Sequence, residues 1–152
     1  MMLLLECLPD ETLARKLGIA KRNCWHFFGK DRVCKALRRN QGMVAMIDDD
    51  PNSVQPPYLG GLETVSDKDG IRVMRDNARN HRVIVLQPRL EEWMIATARA
   101  DGIPMSDFGL NERGNELHRE INSRLPAFVK LIDALAEAGS KRLGRLRELL
   151  NT

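Results

Sequence analysis

The chain has three cysteines in 152 residues, an odd number with no Cys-x-x-Cys pair, which argues against a disulfide framework and a zinc knuckle. Cys7, Cys24 and Cys34 read as free thiols, and a reducing cytoplasm is the expected location. No apolar run approaches the roughly 18 residues that a membrane helix needs. The opening MMLLLE is too short for a signal-peptide core and has no basic residues before it. A soluble, unanchored cytoplasmic protein is therefore expected. Charge of one sign is also lacking: 24 Lys and Arg against 21 Asp and Glu leave a net charge of +3. That balance excludes a polyanion-coating protein, so any nucleic-acid contact must be local. One Tyr, two Trp and four Phe argue against a base-stacking platform for single strands.

What is present is 43% hydrophobic residues in a chain of single-domain length, enough for one substantial core. The first half alternates short apolar runs with helical spacing, the pattern of βαβ units and of a mainly parallel, Rossmann-like α/β sheet flanked by helices. MMLLLEC, NCWHFF and GMVAMI read as strands, with PDETLARKLG and GKDRVCKALRRN as the helices between them. Pro9 suits a first helical turn, Asp10 and Glu11 its positive end, and Gly18 a stop. From Asp50 to Gly70 prolines, glycines and polar residues show no period, which predicts a long loop of the kind that often carries function. GIRVMRDN and HRVIVLQP read as further strands and RLEEWMIATARADG as a helix. Beyond residue 105 the pattern is helical. The expected organisation is an α/β core over residues 1–104 with a helical region, 105–152, packed on it as one compact domain. Its terminal stripe of Leu143, Leu146, Leu149 and Leu150 should cover the chain's own sheet; the alternative is docking on a second chain.

The stretch MVAMIDDDP ends an apolar run in three aspartates and a proline. Either solvent screens them in a surface turn, or a cation is meant to sit among them. In parallel sheets ligands gather at the carboxyl ends of the strands. Glu6 and Asp48 each terminate an apolar strand and should both point there. Asp50, turned back before Pro51, would complete an Asp-x-Asp pair. Oxygen ligands of this kind suit a hard cation such as magnesium or manganese. Asp10 can face the same edge, although a helix start that complements the dipole accounts for it equally well. Gly29-Lys30 lacks the full phosphate-loop pattern, but Lys30 can approach a phosphate at a helix N-terminus. Arg72, Arg75, Arg79, Arg82 and Arg89 form the densest basic stretch, either a track for a nucleic-acid backbone or a solvated strand edge. His26 is expected beside the core, and His81 and His118 have no recognisable constellation.

Taken together, LLLECLPDE, GKDRVCKAL, VAMIDDDP and LQPRLEEWMI resemble the Toprim-like domains of RloB-type and overcoming-lysogenisation-defect nucleases of bacterial phage defence, over about residues 2–98. The resemblance implies magnesium-dependent hydrolysis of nucleic-acid phosphodiesters, with Glu6, Asp48 and Asp50 as the catalytic set. It places Asp10 at an acidic position after Glu6 and Glu91 at the Glu of a Pro-x-Phe-Glu-x-Trp segment, both toward the metal. Two departures matter: Cys7 stands where the family has glycine, and no ATPase domain or long nuclease insertion is present in the 152 residues. The alternative is a non-catalytic interaction or effector module that partners an ATPase.

Overall fold

The computed structural model describes residues 2–152; Met1, at the head of the first expected strand, lies outside them. Strands β1 (Leu3–Leu5), β2 (Cys24–His26) and β3 (Val44–Asp48) alternate with helices α1 (Leu8–Lys16) and α2 (Lys30–Arg39). A short helix α3 (Pro57–Gly60) leads into the meander β4 (Glu63–Lys68), β5 (Ile71–Asp76) and β6 (His81–Leu86). The rest is helical: α4 (Leu90–Ala100), α5 (Gly114–Glu120), α6 (Leu125–Glu137) and α7 (Lys141–Asn151), with short 3-10 turns between them.

The six strands form one mixed sheet in the order β2-β1-β3-β6-β5-β4. The β2-β1-β3-β6 half is parallel, and β5 and β4 join antiparallel to it. Successive strand residues face opposite sides, and in β1, β3 and β6 both sides are covered, which is why these three read as unbroken apolar runs. Leu3, Leu5, Met46, Ile84 and Leu86 pack on one face beneath α1, α4, α6 and α7. Leu4, Ala45, Ile47, Val83 and Val85 pack on the other beneath α2 and Tyr58. The helical region from residue 105 thus shares a core with the sheet: Phe128, Leu131, Leu146 and Leu150 are fully buried in it. The leucine stripe is covered by the chain itself, with Leu149 only partly buried at its side.

The stretch from Asp50 to Gly70, expected to be a loop, holds α3 and the edge strand β4. All but one residue of β4 are exposed, so no face of it needed apolar residues and the period-2 signal was absent. Asp69 and Gly70, with φ of 56° and 71°, make the tight turn into β5. No helix among the described residues is long and apolar enough to cross a membrane.

The chain runs from β1 outward to β2, then crosses back so that β3 lies on the other side of β1. That reversal makes a topological switch point, where loops diverge and leave a crevice at the carboxyl edge.

Candidate metal centre

Glu6 follows the last residue of β1 and Asp48 is the last of β3, so they leave neighbouring strands side by side at the switch point. Glu6 Oε2 accepts the backbone N–H of Asp48 at 2.7 Å. Asp48 Oδ1 in turn accepts the Leu90 N–H at 2.9 Å, capping a helix start that has no side-chain cap from its own N-cap residue. Helices α1 and α4 both begin at this edge, which brings their first-turn acids to it. Asp10, 2% exposed, takes the N–H and the S–H of Cys7 on Oδ2, each at 3.2 Å. Cys7 is the N-cap of α1, and its amide and thiol hold Asp10 in place. Burial pushes that thiol's pKa far up, which keeps it a neutral donor. Glu91, in the first turn of α4 and 4% exposed, accepts from Nδ1 of His118 at 3.1 Å on Oε1. Its Oε2 is buried with no partner.

Each of these carboxylates spends one oxygen on a fixed donor. Among the described residues Glu6 Oε1, Asp10 Oδ1, Asp48 Oδ2 and Glu91 Oε2 accept no hydrogen bond. Nor do Glu6, Asp10 or Asp48 join any salt bridge among them. The electrostatic result is strong mutual frustration. Burial, then the charges of Asp10, Glu6 and Glu91, hold Asp48 well above the usual carboxylate range. Burial and then Glu6 do the same to Asp10. Glu6 is raised by burial, with Asp50 and Glu91 adding to the rise and the Asp48 amide and Lys30 opposing it. Glu6, Asp10 and Asp48 therefore form one repulsive set, to which the charge of Glu91 adds, and protons or a cation would relieve it.

Other expected site residues are placed differently. Asp50 stands at the rim: its φ of 42° turns the loop back, its N–H donates to the Pro88 carbonyl at 2.7 Å, and its charge reaches Glu6. Asp49 is bound at 2.6 Å by Arg72 Nη2. The basic stretch is divided rather than gathered into one track. Arg79 pairs with Asp76 and donates to the Arg38 carbonyl, Arg82 ties down the Leu149 and Thr152 carbonyls, and Arg89 holds Glu92 and Asn115. Arg75 alone of the five has no partner among the described residues. Lys30 sits at the start of α2, close enough for its charge to stabilise ionised Glu6.

His118 is the residue that sequence reasoning missed, because its link to Glu91 spans 27 positions and joins α5 to α4. His81 is fully buried and structural, with Nδ1 accepting the Met43 N–H and Nε2 facing the Leu37 carbonyl. His26 ends β2 opposite Leu5 and lies 3.6 Å from Glu11. Two aromatics are exposed, Phe28 at 77% and Trp25 at 41%.

No match to this chain was found among protein-family models, curated proteins or solved structures. Among the described residues no three acidic, imidazole or thiol side chains stand as a formed metal cage. The donor set nonetheless fits a hard divalent cation: it is all oxygen, it is repulsive as it stands, and it contains a buried, unpartnered carboxylate oxygen in Glu91 Oε2.

Proposed function

We propose that this chain is a Toprim-like, divalent-cation-dependent phosphodiesterase acting on nucleic acid. The observation that carries the reading is the gathering of Glu6, Asp10, Asp48 and Glu91 at one strand edge, where among the described residues none of the first three joins a salt bridge and Glu91 Oε2 is buried without a partner. Magnesium or manganese would be held by these four, with Asp50 at the rim completing the Asp-x-Asp pair. Such an ion activates water and stabilises charge on a leaving oxygen. The chain's own residues do the rest. The Asp48 amide fixes Glu6, leaving Glu6 Oε1 to hold or pass a proton. His118 orients Glu91 through its Nδ1–H. Lys30 offers a positive charge beside Glu6 where a phosphate would lie. A role in phage defence follows from the resemblance to nucleases of that kind.

The reading as a non-catalytic module partnering an ATPase drew on the terminal leucine stripe. Leu143, Leu146 and Leu150 are at most 3% exposed, so of that stripe only the partly buried Leu149 is left to meet a partner. A cleavage panel of plasmid, single-stranded DNA and tRNA with Mg²⁺ or Mn²⁺ tests the proposal. Metal-dependent cleavage should be lost in Asp48→Ala and in Glu91→Gln. Inactivity of folded, metal-loaded wild type on every substrate would count against it, as would full activity in both variants.

A further inference from the structure

A groove of about 580 Å³ lies between α1 and the start of α6. Arg15 and Lys16 of α1, Lys21 of the 3-10 turn before β2, and Leu125 and Val129 of α6 line it, and no acidic residue does. Lys16 is paired with Asp133 at 2.6 Å. Arg15 and Lys21 are exposed, and neither joins a salt bridge among the described residues. Glu11, one helical turn before Arg15, stands 3.6 Å from His26 instead. The groove therefore offers two free cations, whereas all but one of the arginines from 72 to 89 are tied to partners.

Helix α1 joins this groove to the carboxylate edge, because it begins there at Cys7 and Asp10. Leu8, Thr12 and Arg15 stand at i, i+4 and i+7, one stripe along the helix, and Leu8 at its head is 43% exposed. Arg15 lies five residues beyond Asp10, about 7.5 Å along the axis. One strand can therefore meet the acids and the groove together. We infer that the groove carries the phosphate backbone of the nucleic-acid substrate as it leaves the carboxylate edge, with Arg15 and Lys21 as its contacts. This inference rests on the phosphodiesterase reading for its substrate class. Contacts of this kind position a chain without reading its sequence, and they make its binding salt-dependent.

The test is titration of labelled oligonucleotides, single-stranded and duplex, with the EDTA-treated protein across a salt series. Wild type should bind unrelated sequences alike. Arg15→Gln with Lys21→Gln should weaken binding and lower the log-log salt slope by roughly 0.7 per charge for a single strand or 0.9 for a duplex, at an unchanged melting temperature. Lys35→Gln with Arg39→Gln removes the same charge from exposed positions of α2, across the sheet, and should leave the slope as it is. No binding by wild type at low salt overturns the inference. So does an unchanged slope in the groove variant, or an equal loss in both variants, which would mark net charge alone. Cleavage with Mg²⁺ or Mn²⁺ separates the two failures. Cleavage at one KM by wild type and the groove variant sinks the groove alone. Binding that the groove variant weakens, in a protein that cleaves nothing, keeps the groove and sinks the phosphodiesterase reading.

Discussion

Asp48 ties together three segments with one amide and one carboxylate: its N–H fixes Glu6, and its Oδ1 caps α4. Asn can keep the cap, because its side-chain oxygen accepts the same Leu90 N–H, while it removes the charge that Glu6, Asp10 and Glu91 repel. Asp48→Asn should therefore stabilise the metal-free fold by on the order of 1 kcal/mol, read as a higher melting temperature in EDTA. A lower melting temperature would mean that the carboxylate is a structural anion. The same repulsion sets a pH dependence. Asp10 and Asp48 titrate above the ordinary carboxyl range, so from about pH 4 upward the folded protein binds more protons than the unfolded chain. Their contribution to stability is full below that pH and is lost as pH rises through the raised folded-state values. Melts in EDTA should thus fall across the neutral range, and Asp48→Asn should flatten the slope. A slope identical in the variant would remove Asp48 from the coupled set.

Among the elements, those with a buried stripe or two buried faces were legible, and those without were not. β1, β3 and β6 announced themselves as apolar runs, and α7 as a leucine stripe of which Leu143, Leu146 and Leu150 are buried: Leu146→Ala should cost about 2–5 kcal/mol, measured by denaturant unfolding, whereas a near-neutral result would imply a stripe that faces outward. β4 left no period because almost all of it is exposed. Its turn was still written in the sequence as Asp69-Gly70, between strands that the surrounding prolines and glycines obscured. Gly70 has a second constraint that no sequence pattern carries. A Cβ there would meet Trp93 Cδ1 at 2.8 Å, while Trp93 Nε1 donates to the Asp69 carbonyl at 2.9 Å. Gly70→Ala should destabilise by about 1 kcal/mol or more, from the left-handed φ and this contact together. An unchanged melting temperature would show that the β4-β5 turn moves independently of α4. The carboxylate site was legible to the same degree: Glu6 and Asp48 from strand ends, Asp10 from a helix start. The place of Glu91 came from resemblance, and the His118 contact needed the fold.

For the whole molecule, the sheet order places a repulsive set of acids at a crevice and leaves the opposite, helical region to supply the core that holds them there. Stability lost in gathering those charges is recoverable by a ligand that neutralises them. The most direct measurement is the melting temperature of wild type and of Glu91→Gln at near-neutral pH, in EDTA and across a Mn²⁺ series. Glu91→Gln keeps the side chain's shape and its acceptor for His118, so the fold should survive. Wild type should rise with Mn²⁺ and gain about 2.7 kcal/mol near a hundredfold excess over the dissociation constant, with the variant displaced to much higher metal. Identical Mn²⁺ responses in the two proteins, or none in wild type, would contradict a metal centre built from Glu6, Asp10, Asp48 and Glu91.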